Sequence, residues 1–235
     1  MKSLTIAAKW LFILCLPVLL LTASIGWEVN SHWLYKYGFE KYDVSQTTGL
    51  AEVELEKAAI GLISYFNSGE EYISLTVMKG GKPFELFNQR EVAHLRDVKG
   101  LMRLDYYLLS GTLIYALSYA GVSLFWRRKR YRRQLGWGVV SGSGFTLALM
   151  LAMGLGTLFN FDQLFYQFHL ISFTNELWQL DPARDYLIML FPGGFWYDAA
   201  TFCALVTAGL AVILGGMAGG YLMFRRSKTP NYKDV

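Results

Sequence analysis

Three histidines occur in these 235 residues, and two of them stand where an imidazole could carry protons. His94 sits in NQREVAHLRDVKG, with Glu91 three residues before it and Asp97 three residues after. On a helix that spacing brings side chains onto adjoining faces, so Asp97 could fix the tautomer of the ring. His169 sits in FDQLFYQFHLISFTNELWQLDPARD, among aromatic rings and amides. Imidazole titrates near neutral pH and can both take and give a proton. The plainer reading of each is an interfacial ring with its hydrogen bonds satisfied. That reading suits His32, which neighbours Trp33, Tyr35 and Tyr37 in an aromatic belt.

Other chemistries fit less well. No HExxH or comparable metal spacing is present, and no G-x-S-x-G elbow; neither a metal nor a cofactor is expected. Cys15 and Cys203 fall in apolar runs and read as buried thiols, with no disulfide framework. The serines of GVVSGSG, Ser141 and Ser143, lie among glycines that read as helix-packing positions, as do the pairs Gly215/Gly219 and Gly216/Gly220.

A membrane must position these histidines. A span needs about 20 mostly apolar residues, and four segments qualify, near 10–29, 104–126, 135–159 and 199–224. The composition, 54% hydrophobic and 17% charged, agrees. The first run has the positive start of a secretory signal (Lys2, Lys9) but no convincing small-x-small site, so it reads as a retained helix. Arg127, Arg128, Lys129, Arg130, Arg132 and Arg133 crowd the link 127–134, and Arg225, Arg226, Lys228 and Lys233 follow the fourth span. Short basic loops stay in the cytoplasm. Both termini and this link are therefore expected inside, and residues 30–103 and 160–197 outside, forming one extracytoplasmic cap on a single membrane domain. Nothing near RRKRYRR resembles a nucleic-acid module, so no nucleic-acid partner is expected.

The cap has readable parts. Apolar residues at helical spacing predict a helix over 50–66. Ile73, Leu75 and Val77 alternate like a half-buried strand over 72–78, with a turn at 79–82 and a returning strand over 84–87. Asn88 with Glu91 forms a capping-box pattern, opening a helix that runs into the second span. In the second loop, Asp162 is expected to cap a helix over 163–173, and Asp181-Pro182 to start another, stopped by Phe191-Pro192-Gly193-Gly194. The fold class is thus mainly α, four transmembrane helices with an α+β cap.

Two segments carry a resemblance to a known family. FELFNQREVAHLRDVKGLM and FYQFHLISFTNELWQLDPARDYLIMLFPGGFWYDA, in this order and topology, are similar to the bacterial lipoprotein intramolecular transacylases, Lit. The match rests on E-x-x-H-x-x-D-V-K around His94 and F-H-x-x-x-F-x-N-x-x-W-x-L-D-P-x-x-D around His169, and extends over essentially the whole chain. It implies an enzyme of the bacterial cytoplasmic membrane that acts on diacylglyceryl lipoproteins, among membrane lipid. Such an enzyme moves the acyl chain from the glyceryl sn-2 oxygen to the α-amine of the N-terminal cysteine. The atoms between amine and ester carbonyl close an eight-membered ring, so confinement could supply up to about 7–11 kcal/mol of the acceleration without an acyl-enzyme. On this resemblance His94 and His169 are the acid–base pair. Glu91, Asp97, Asn175, Asp181 and Asp185 orient them or hold the cysteine end, although Asp181 reads better as a helix cap. Phe168, Phe173 and Trp178 shape the acyl pocket. The competing readings are a non-enzymatic membrane sensor or accessory protein that binds a partner through its cap, and a small transporter. Transport is disfavoured because the spans hold few ionisable residues.

Overall fold

The structure is a computed structural model that describes residues 2–125 and 129–227. Of the basic residues used to orient the chain, Arg127, Arg128, Lys228 and Lys233 lie outside the described residues. In chain order the elements are α1 (Lys2–Val29), α2 (His32–Lys41), α3 (Val44–Thr48), α4 (Glu52–Asn67), β1 (Thr76–Lys79), β2 (Lys82–Glu85), α5 (Gln89–Phe125), α6 (Lys129–Ser172), α7 (Tyr186–Leu190) and α8 (Gly193–Ser227). The chain falls into two compact units, one of residues 1–24, 106–155 and 203–235 and one of residues 25–105 and 156–202.

The first unit contains segments of the four helices that are long and apolar enough to cross a membrane. Its surface carries Leu14, Ile114, Leu117, Leu151, Leu205 and Met217, all exposed. Apolar surface on helices of that length suits acyl chains and not water. Lipid gives helices no hydrophobic reason to associate, so the contacts here are close packing and hydrogen bonds. The Tyr115 hydroxyl donates to the Ala8 carbonyl at 2.8 Å, and the Phe12 and Tyr119 rings stack at 4.7 Å. Buried Thr207 donates to the Ser24 hydroxyl at 2.9 Å. A Cβ on Gly142 would come within 2.8 Å of Leu16, so α1 and α6 meet there only because the side chain is absent. Gly215 likewise faces Ser143 at 2.9 Å, whereas Gly216, Gly219 and Gly220 have open space around them and are not packing sites. Motif spacing finds small residues, but only the crossing point of two helices decides which are used.

The second unit is built on an apolar core that includes Leu34, Phe39, Leu62, Val77, Leu95 and Leu190. The hairpin forms with Thr76 opposite Glu85 and Lys79 opposite Lys82, turning through Gly80 and Gly81 at positive φ. Ile73, Leu75 and Val77 are buried as their alternation predicts. Strand β1 is shorter than 72–78, and β2 keeps four residues but starts two earlier than 84–87. At the end of the ladder the Glu85 carboxylate accepts the Leu75 amide at 2.9 Å. The capping box at α5 is present: Asn88 Oδ1 accepts from the Arg90 and Glu91 amides, and Glu91 accepts the Asn88 amide at 2.8 Å. From there α5 continues through Gly100 without a break.

Elsewhere this unit differs from expectation. Around His32 the chain forms helices α2 and α3, elements the aromatic pattern alone did not predict, and α2 buries Leu34, Tyr35 and Phe39. The helix that carries His169 is capped by Asn160 and not by Asp162. Asn160 has extended backbone (φ −161°, ψ 78°) inside α6, and its Oδ1 accepts the Gln163 amide at 3.1 Å. Asp181 does not start a long helix. Its carbonyl and carboxylate accept from Asp185, Arg184 and Ala183 to close a turn, and α7 begins only at Tyr186.

Candidate active site

Helices α5 and α6 deliver the two histidines into the second unit. His94 lies one turn after the capping box and is 6% exposed; His169 lies in the last turn of α6 and is 9% exposed. Their ring centroids are 6.3 Å apart and nearly parallel, at 28°. At that distance the two rings are neighbours that can both face one small group of atoms.

The rings are held by aromatic neighbours. Phe173 stands edge-on to His94 at 5.0 Å and lies 5.6 Å from His169, so one side chain braces both. Trp178 lies 4.9 Å from His169, and Phe168 meets it edge-on at 5.4 Å. Phe168 and Ile171 remain exposed, giving the site an apolar lip.

A backbone contact sets the tautomer of His169. Its Nδ1 lies 2.7 Å from the Phe165 carbonyl oxygen. A carbonyl can only accept, so Nδ1 carries the proton and a neutral ring leaves Nε2 as a free base. His94 has a buried Nδ1 with no partner among the described residues. Both histidines lie outside the segments read as spans. Burial pushes His94 down to about 4, with nearby His169 adding to the fall and Asp97 opposing it. Burial also lowers His169, against the pull of its bond to Phe165. Both rings are neutral at pH 7.

The remaining candidates divide by what they touch. Asp97 is close enough to His94 to act on its charge, and its Oδ2 accepts the Asn175 amide group at 2.8 Å. These two therefore stand at the rim of the pair. Glu91 is buried, and both its oxygens accept backbone amides, from Asn88 and from Leu187 at 2.6 Å. Burial raises its pKa, opposed by those amides. Asp185 is buried too, accepting the Asn88 side chain at 2.9 Å and the Asp181 amide at 2.7 Å. Glu91 and Asp185 thus join the start of α5 to the 181–190 segment. Asp181 pairs with Arg184 at 2.9 Å on the surface. Phe165, absent from the sequence reading, contributes a ring 4.4 Å from His169 besides its carbonyl. Its position four residues before His169 was the available signal. Trp196 stacks on it at 5.7 Å.

Comparison with known proteins places this geometry. Residues 10–196 match the family model described as lipoprotein intramolecular transacylase Lit. The chain belongs to the Lit family. It is an integral membrane enzyme, a lipoprotein intramolecular transacylase, and the reading as a non-enzymatic sensor falls away. An uncharacterized protein of Aquifex aeolicus (strain VF5) is 30% identical over 171 residues, 72% of this chain and 73% of that one. The structure of the membrane integral lipoprotein intramolecular transacylase Lit from Bacillus cereus superposes with a TM-score of 0.79 at 19% identity, covering 97% of this chain and all of that one. A histidine-to-alanine variant of the Bacillus cereus protein gives 0.77 at 18% identity, with 97% of both chains covered. At those identities the likeness extends to the fold, four apolar helices with a small two-stranded sheet.

Proposed function

We propose that this Lit family member moves an acyl chain within one lipoprotein molecule, from the sn-2 ester oxygen of the diacylglyceryl group to the α-amine of the N-terminal cysteine. His169 acts as base through Nε2, taking the proton from the amine as its nitrogen attacks the ester carbonyl. His94, neutral at pH 7, donates a hydrogen bond to the oxygen that becomes negative. The new C–N bond forms, the glyceryl C–O bond breaks, and the proton on His169 passes to the departing glyceryl oxygen. Protons balance, and no side chain is acylated. The observation that carries this reading is the pair of buried, parallel imidazoles 6.3 Å apart, with an aromatic wall on either side. Ring closure in a floppy lipid is entropically poor, and a confining site lowers that cost. Phe168, Phe173 and Trp178 bound the acyl chain, while Asp97 and Asn175 meet the cysteine end. Glu91 and Asp185 act indirectly, by holding the start of α5.

The basic residues support an orientation in which both termini are cytoplasmic and this site is extracytoplasmic, in the cytoplasmic membrane of a bacterium. The deciding experiment mixes two lipoproteins, one with isotopically heavy acyl chains, and reads the N-terminal peptides by mass spectrometry. The N-acyl chain is expected always to match its own parent, in wild type and in a protein with Cys15 and Cys203 replaced by alanine. Scrambled labels or a trapped acylated enzyme would overturn the direct route.

A further inference from the structure

Beside the histidine pair lies a cleft of about 640 Å³, lined in part by Phe173. Gly100 on α5 lines it, and an added Cβ there would meet nothing within 4 Å. Arg96, Arg103, Glu70, Glu71 and residues 172–175 complete much of the lining. The lining is polar but its charges are mostly answered. Arg96 pairs with Glu71 at 2.7 Å, and Asp97 accepts from Asn175 at 2.8 Å. Lys99 is 2% exposed, donating to the Ser68 hydroxyl at 3.0 Å and the Glu70 carbonyl at 2.6 Å, with its ammonium 4.0 Å from the Tyr65 ring. That buried ammonium pins the 68–70 segment to α5, so the wall is fixed in advance.

Such a lining is wrong for an acyl chain, which needs an apolar wall. It also lacks the converging unpaired cations a phosphate needs. Arg96 is held by Glu71 and Lys99 by the Ser68 hydroxyl and the Glu70 carbonyl, which leaves Arg103 as the one lining cation without an ion pair or hydrogen bond among the described residues. A polar lining with cations and carboxylates in equal number suits an uncharged strand of polypeptide, whose amide and carbonyl groups all need partners. The volume lies within the ordinary range for a bound ligand. Phe173 is shared between this cleft and both imidazoles, so the cleft opens where the carboxyl side of a bound cysteine would leave.

We infer that this cleft receives the polypeptide that follows the acylated cysteine of the lipoprotein, making Gly100, Arg103 and Asn175 determinants of which mature N-termini are served. The inference rests on the proposed transfer to the cysteine amine. It makes the site a reader of peptide as well as of lipid.

The test uses purified full-length protein and two synthetic substrates, diacylglyceryl-cysteine amide and the same headgroup followed by several residues. Wild type is expected to convert both, with the lower KM for the longer one. Gly100→Trp fills the cleft without touching the histidines and is expected to raise KM for the longer substrate by about tenfold, leaving kcat/KM for the cysteine amide unchanged. Arg103→Ala is expected to act in the same sense more weakly, and the unchanged turnover of the cysteine amide reports an intact fold in both variants. If both variants treat the two substrates alike, the cleft does not hold the peptide. Conversion of neither substrate by wild type would instead sink the transfer reading, and this inference with it.

Discussion

At the scale of single residues, the proposed chemistry depends on two imidazoles that burial keeps neutral. His94→Ala and His169→Ala should each lower formation of the lyso product by about 10²-fold or more, the usual size of a general acid–base contribution. His32 lies 3.8 Å from Glu56, away from the pair, and His32→Ala should be nearly silent in the same assay. Full activity in either of the first two variants removes that histidine from the mechanism. Burial also links the histidines to stability. Their folded pKa values are depressed, His94 to about 4, below the ordinary value near 6.5. Below 6.5 the unfolded chain takes up protons that the folded one refuses, so stability is complete above 6.5 and is lost as pH falls towards 4. For His94 the loss reaches roughly 3 kcal/mol at most. Thermal unfolding in detergent at about pH 7.5 and 5 reads it, the melting temperature dropping at the lower pH. His94→Phe keeps a ring against Phe173 and cannot titrate, so its drop should be smaller. An equal drop would show that other groups dominate the acid response.

At the scale of elements, the site depends on a latch between the start of α5 and the 181–190 segment. Glu91 binds the Asn88 and Leu187 amides from a fully buried position. Glu91→Ala would leave two buried donors unmet, at about 1–3 kcal/mol each. Its melting temperature should fall by several degrees and its activity fall with it. Glu91→Gln can accept only one of the two amides and should recover part of the stability; complete recovery would show that the Leu187 contact contributes little. Half of this latch was legible, because a capping box is written within four residues. The Leu187 half was not, since nothing local says which distant amide a spare carboxylate oxygen will meet. The same limit explains Asn160 and Asp162. Either could cap a helix by type, and the non-helical backbone at Asn160 makes that residue the cap.

At the scale of the whole molecule, orientation in the membrane follows from basic residues, and single cysteines test it. Ser68→Cys should react with an impermeant reagent in intact cells and Gln134→Cys should not; the reverse would place the proposed chemistry on the wrong side. Long-range composition was enough to recognise a four-span membrane protein, because twenty apolar residues in a row have few stable homes other than lipid. The two histidine motifs, read as a family resemblance, pointed to lipoprotein transacylation before any coordinates. Local patterns also located the hairpin turn and the start of α5, since the forces that set them act between near neighbours in the chain. What only the tertiary structure decided is which of the singled-out residues meet. It set His94 and His169 6.3 Å apart and gave Phe173 to both rings. It committed Glu91 to backbone amides and Asp185 to the Asp181 amide and the Asn88 side chain, and fixed the His169 tautomer on the Phe165 carbonyl. These are contacts between segments some 75 to 95 residues apart, or choices among equivalent partners. They arise when the α4–α5 region and the end of α6 pack on one core, and no property of the separate segments contains them.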